Sequence, residues 1–305
     1  MSPIAITVQS PGRINIIGEH TDYNQGFVLP AAIDKKVTFK IWKNNQDQTV
    51  NIRSIDLGER FSFDLSSFQK EAGGWQNYIM GVVLELQKID AKIGGFNAEF
   101  GGDIPIGSGM SSSAALECCL AFGLNALFDL GLDRWQIIKL SQKAEHNFVG
   151  MKCGIMDQFA SVMGKKGQVM LLDCQSLDFQ YFPFETDDNQ VLLLNTNVTH
   201  NLASSEYNTR RSECEQGVEI IRRKFDSVQS LRDVSLDMLE MVKSDLPEKV
   251  FRRCYHILME NDRVLTATKA LLNKDFVELG QLLYESHRSL QNCYEKVLTI
   301  KMVRL

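Results

Sequence analysis

The sequence predicts an α+β protein of two domains. Short β-rich runs alternate with turns in the first third, helical periodicity sets in at Trp75, and beyond Ser205 the pattern is almost wholly helical. An N-terminal domain is expected over residues 1–185 and a helix-rich C-terminal domain over 186–305.

In chain order, Ile4–Val8, Val37–Trp42, Val50–Ile55 and Phe96–Phe100 read as strands, with Asn44-Asn45 and Gly101-Gly102 as turn signals. Trp75–Lys88 sets Tyr78, Val82 and Leu86 on one helical face. Leu116–Leu130 is apolar nearly all round, the mark of a helix buried on most sides. Arg134–Phe148 is amphipathic, with Ile137, Leu140, Ala144 and Phe148 in one stripe. Gln168–Leu172 and Val191–Asn195 return to strand. Helices then cover Glu206–Phe225, Leu236–Lys243, Glu248–Leu272 and Asp275–Leu290.

The chain has 305 residues, enough for a large core or two smaller ones. A net charge of −5, from 33 basic and 38 acidic residues, argues against nucleic acid or an anionic membrane as a main partner. An anionic ligand must therefore be held by local groups. Seven cysteines without metal-ligand spacing read as reduced core residues. No signal peptide is read at MSPIAITVQS and no apolar run reaches the ~18 residues of a membrane span, so a cytoplasmic protein is expected. No obligate protein partner is evident.

Three stretches carry chemistry. In PGRINIIGEHTDYNQG, Arg13, Glu19, His20 and Asp22 flank the apolar run Ile14–Ile17, more polar hooks than a turn requires. In GGDIPIGSGMSSSAALE, Gly107 and Gly109 allow sharp turns, and Ser111, Ser112 and Ser113 open the apolar helix. Helix N-termini favour phosphate, and serine hydroxyls suit Mg²⁺, although serine is also an ordinary helix cap. The Walker A lysine and the dinucleotide glycine spacing are both absent. Third come two carboxylates, Glu145 in QKAEHNFVG, beside the apolar stripe of its helix, and Asp157 in CGIMDQF; the first also reads as a solvated helix residue, the second as an ordinary N-terminal helix acid. Together these residue types can be written as a sugar kinase. Ser113 and Glu145 bind the metal, Asp157 serves the acceptor hydroxyl, Arg13 stabilises developing charge or holds Asp157 ionised, and Glu19, His20 and Asp22 bond sugar hydroxyls.

PGRINIIGEHTDYNQGFVLPAAID resembles the signature of galactokinases, members of the GHMP small-molecule kinase superfamily. PIGSGMSSSAALE is similar to the superfamily's ATP-binding motif, and CGIMDQ and SSEYNTRR are similar to further galactokinase segments. The resemblance implies a two-domain GHMP kinase fold with its active site in the cleft between the domains. It implies ATP-dependent phosphorylation of galactose at C1, with ATP and Mg²⁺ required. Glu19, His20, Asp22, Gly154, Asp157 and Tyr207 would form the sugar pocket, with Asp157 as base and Arg13 as transition-state stabiliser. Gly107, Ser108, Gly109, Met110, Ser111, Ser112 and Ser113 would hold the ATP phosphates, with Ser113 and Glu145 on Mg²⁺. Trp75 and Tyr78 read either as adenine neighbours or as core.

The family's glycine-rich third motif is not found, and the resemblance fades near Tyr294-Glu295, before KVLTIKMVRL. A truncated second domain is therefore expected. The alternatives are a non-catalytic galactose and ATP sensor, an inactive fragment, or an N-acetylgalactosamine kinase. Small residues after the serine run, Ala114-Ala115, favour catalysis over the sensor.

Overall fold

The computed structural model describes residues 4–44, 46, 48–105, 107–184, 191–193 and 203–295. It divides into two compact units, the first built from residues 1–13 and 32–164, the second from 14–31 and 165–305. This differs from the single cut near residue 185. Residues 14–31 join the second unit because Phe27 and Val28 pair antiparallel with Asp173 and Leu172. The Cys174 amide bonds the Gly26 carbonyl at 2.9 Å, in the same direction.

The first unit is organised by a five-stranded sheet in the order β1-β3-β6-β4-β5: β1 (Ala5–Asn15), β3 (Pro30–Lys43), β6 (Phe96–Gly102), β4 (Thr49–Ser54) and β5 (Arg60–Asp64). The β3–β6 and β4–β5 pairs are antiparallel, while β4 and β6 run parallel. Phe39, Ile41, Val50, Ile52, Phe96 and Ala98 alternate along their strands onto one buried face. Onto that core fold α1 (Gln76–Lys88), through Val82, Val83 and Leu86, and α2 (Ser112–Phe128), through Leu120 and Leu124. Helix α3 (Arg134–Ala144) and α4 (Met156–Met163) complete the layer. Helix α2 begins four residues ahead of the expected Leu116, so the serines form its first turn.

The second unit has a three-stranded antiparallel sheet, β2 (Phe27–Val28), β7 (Gln168–Asp173) and β8 (Phe179–Pro183), in that order. Helices α5 (Ala203–Arg222), α6 (Leu236–Met241), α7 (Glu248–Leu272) and α8 (Phe276–Cys293) follow. Its core gathers Cys214, Ile221, Leu239, Val250, Cys254 and Ile257, closed by the fully buried Tyr294.

The short strand β5 escaped the sequence reading. Val191–Leu193 carries no strand; the rest of that expected strand, like residues 296–305, lies outside the described residues. The apolar run Ile14–Ile17 is strand only to Asn15. Beyond it the chain bends, because Ile16 donates to Leu29 and Leu29 to Ile17, each at 3.1 Å. All seven cysteines are free, five of them buried, as expected of reduced core residues. No helix among the described residues is long and apolar enough to cross a membrane.

Candidate active site

The first unit carries the glycine–serine loop. Gly107 and Gly109 both lie at positive φ, 72° and 74°, where a side chain would be strained. Ser108 closes the turn by donating from Oγ to the Pro105 carbonyl at 2.7 Å. Ser111 sits at the mouth of α2 in the left-handed region, φ 57°, and makes no capping bond. Its hydroxyl instead donates to Asp157 Oδ2 at 2.6 Å. An ordinary cap is therefore the wrong description of Ser111, which gives the first amides of α2 no side-chain acceptor.

Asp157 stands in the first turn of α4, and its other oxygen accepts from Arg13 Nε at 2.7 Å. Arg13 is buried and donates Nη1 to the Gly109 carbonyl at 2.7 Å, while its own amide bonds the Met110 carbonyl at 3.1 Å. Strand β1, the glycine loop and α4 thus converge on one cation–carboxylate pair. Gly12 lets the strand approach, since a Cβ there would lie 2.7 Å from the Met110 carbonyl. Gly154 is buried just ahead of α4, in the same unit.

Glu145 ends α3, where the helix widens into a π-turn over Glu145–Val149. It is buried, not solvated. Ser113 Oγ donates to its Oε1 at 3.1 Å, and Gln158 Nε2 to its Oε2 at 2.8 Å. Burial, and then the charge of Asp157, push the Glu145 carboxyl up to about 7, against donation from Cys153, Ser113 and Gln158. Glu117, one turn along α2 from Ser113, is also fully buried, and burial followed by Glu145 raises it well above the carboxylate range. No described ion pair reaches either carboxylate.

The proposed sugar hooks Glu19, His20 and Asp22 belong to the second unit. Asn15 Nδ2 holds Glu19 Oε1 at 3.1 Å. His20, at φ 66°, shares a 3.0 Å hydrogen bond between Nδ1 and the Tyr23 hydroxyl and stacks on Tyr294 with centroids 4.6 Å apart. Tyr207 approaches His20 at 5.8 Å and Tyr23 at 5.1 Å between centroids, so the structure brings it to the hooks. Asp22 Oδ1 accepts the Tyr23 amide at 3.0 Å. Thr21 Oγ1 ties the loop locally, reaching the Gly18 and Phe27 carbonyls at 2.9 and 2.6 Å.

Gly18 is required here. Its φ is 102°, and a Cβ would lie 2.7 Å from the Phe27 carbonyl. Gly18→Ala is expected to cost about 3 kcal/mol, read from urea unfolding, through backbone strain and overpacking. A loss below about 1 kcal/mol would mean that the turn relaxes.

The sequence reading did not pick out Gln158, Asn15 or Tyr294. The first two are visible as polar neighbours inside motifs, whereas nothing local signals that Tyr294 stacks on His20. Trp75 and Tyr78 prove to be core neighbours: Trp75 packs on Phe61 and Phe100 and donates Nε1 to Glu59 at 2.6 Å, and Tyr78 lies against the first core.

Residues 77–165, a span that includes the glycine–serine loop and α2, match the GHMP kinases N terminal domain. Residues 2–41 match the galactokinase galactose-binding signature. A galactokinase of Thermosipho africanus is 43% identical over 94% of this chain and 78% of its own length. One of Clostridium tetani is 42% identical over 94% and 73%. The crystal structure of Lactococcus lactis galactokinase complexed with galactose superposes with a TM-score of 0.91, at 34% identity, over 97% of this chain and 77% of that one. The chain belongs to the galactokinase family.

Proposed function

We propose that the chain phosphorylates the C1 hydroxyl of galactose with ATP, and that Arg13 and Asp157 carry the transfer. The observation that supports this most is the Arg13–Asp157–Ser111 constellation, a buried cation and a carboxylate held together at the mouth of a glycine–serine loop. Phosphoryl transfer asks mainly for positioning and for charge aimed at the moving oxygens. The loop amides and Ser111–Ser113 take up phosphate oxygens, and Arg13 faces the charge that develops on them. Asp157 orients the C1 hydroxyl and accepts its proton as the hydroxyl oxygen bonds to the γ-phosphorus of ATP, while the bond from that phosphorus to the bridging oxygen breaks and ADP leaves. Glu19, His20, Asp22 and Tyr207 hold the sugar by directional bonds to its hydroxyls.

Mg²⁺ fits the residues present. Ser113 and Glu145 offer a hydroxyl and a carboxyl, both hard oxygen donors within hydrogen-bond distance of each other, and a Glu145 carboxyl raised to about 7 can ionise beside a cation near neutral pH. When bound, Mg²⁺ supplies neutralisation of phosphate charge.

The reading is tested by a coupled assay of ADP formation with ATP and a panel of sugars, the product identified by phosphorus NMR. Galactose-dependent turnover yielding a 1-phosphate is expected. No sugar-dependent turnover, or a preference for N-acetylgalactosamine, would sink it.

A further inference from the structure

We infer that His256 and Glu260 on helix α7 are positioning residues that set the backbone of the sugar hook Glu19, a proposal that rests on the galactose reading above. Glu260 is fully buried. Its Oε1 accepts the amides of Gly18 at 3.0 Å and Glu19 at 3.1 Å, together with the Ser286 hydroxyl at 2.6 Å. Its Oε2 is paired with Arg263, through Nε at 2.8 Å and Nη2 at 2.7 Å. One turn earlier, His256 Nε2 stands 3.0 Å from the Glu19 carbonyl and Nδ1 stands 2.8 Å from Ser289 Oγ. A carbonyl only accepts, so Nε2 carries the proton and Nδ1 accepts from the serine. Both peptide groups flanking Glu19 therefore end on one face of α7. Asn261 adds the next anchor, its Oδ1 accepting the Phe27 amide at 2.9 Å.

Packing alone does not explain these residues. Helix α7 already buries Val250, Cys254, Ile257 and Val264, and a buried ion pair is seldom more stabilising than the apolar residues that could replace it. What a carboxylate adds is acceptor capacity for two amides and a hydroxyl while Arg263 takes the remaining oxygen. That capacity is directed at a loop whose conformation needs outside support. Gly18 and His20 are both at positive φ, and His20 is not a glycine. Glu19, between them, is aimed by whatever fixes its two peptide groups.

The test uses two double variants of the full chain, each removing both charges so that no lone ion stays buried. Glu260→Leu with Arg263→Met deletes the acceptors; Glu260→Gln with Arg263→Met keeps one carbonyl oxygen for the two amides. Galactose binding is read by calorimetry, with KM for both substrates and kcat beside it. The Leu/Met pair is expected to raise the galactose Kd and KM about tenfold or more, with kcat falling much less and the ATP KM within about twofold. The Gln/Met pair recovers galactose affinity to within about threefold of the unmodified chain. A third variant, the single substitution His256→Phe, raises the galactose Kd about fivefold by removing the donor to Glu19, and it decides the matter where the Leu/Met chain does not fold. A galactose Kd unchanged in Leu/Met or in His256→Phe, or equal losses in Leu/Met and Gln/Met, overturns the proposal. Absence of galactose binding in the unmodified chain sinks the substrate reading and the proposal with it. Binding that survives deletion of the anchors sinks the proposal alone.

Discussion

Asp157→Asn is expected to lower kcat about 1,000-fold while leaving the fold and ATP binding in place. The amide is nearly isosteric with the carboxylate. Its oxygen can still accept from Arg13 Nε, now 2.7 Å from Oδ1, and its NH₂ can donate to the Ser111 hydroxyl, now 2.6 Å from Oδ2. The geometry therefore survives and the capacity to accept a proton does not. Asp157→Ala is the poorer test. It takes the carboxylate away from the buried Arg13 guanidinium, and breaking a buried ion pair by removing one member costs about 3–5 kcal/mol. Loss of activity in the alanine variant would then mix chemistry with unfolding. Turnover by coupled ADP release, ATP affinity by calorimetry and a thermal melt separate the two. An asparagine variant within tenfold of the parent kcat would remove Asp157 from the proton-accepting role and leave it as a support for Arg13.

How far the chemistry was legible depended on how local its signals were. The glycine–serine loop is local: positive φ at Gly107 and Gly109 is what glycine is used for, and the serines open α2 as their position implies. Arg13 and Asp157 were paired by chemical need, and the structure sets them 2.7 Å apart although 144 residues separate them. Glu145 shows the opposite limit. Helical periodicity put it beside the apolar stripe of α3, but periodicity reports which residues share a face and not what covers that face. The π-turn that begins at Glu145, with the Gln158 and Ser113 side chains against it, is a tertiary fact.

The same limit hid the α7 anchors. His256, Glu260 and Arg263 recur at spacings of four and three along an amphipathic helix, and a solvated polar edge would look identical. Their targets lie 237 to 242 residues earlier in the chain. The division into compact units departs from the single cut near residue 185 for a related reason. A two-residue strand, β2, is too short to register in a composition scan, yet its pairing with β7 returns residues 14–31 to the second unit.

Glu145→Gln is expected to raise the Mg²⁺ requirement more than tenfold and, in the absence of metal, to stabilise the protein above neutral pH. The two effects have one cause. In the folded chain the Glu145 carboxyl is raised from an ordinary 4.5 to about 7. Folding therefore favours its protonated form. The stability that this contributes is fully present below pH 4.5 and is lost as pH rises through about 7, a loss of about 3 kcal/mol for this group. A bound cation restores it, because the ionised carboxylate then has a partner. Mg²⁺ should accordingly raise the melting temperature at pH 8 and have little effect at pH 6, and its apparent affinity should fall about tenfold per pH unit below 7. Glutamine removes the charge and the titration together. Its amide oxygen can keep the Gln158 Nε2 donor, and its NH₂ then faces the Ser113 hydroxyl, which can accept. The variant is thus expected to melt higher than the parent at pH 8 without metal, to show no pH dependence in its Mg²⁺ response, and to need far more Mg²⁺ for turnover. A glutamine variant with the parent's Mg²⁺ profile would take Glu145 out of the metal site. A parent whose Mg²⁺ affinity is flat between pH 6 and 8 would show that the cation is held without this carboxylate's charge.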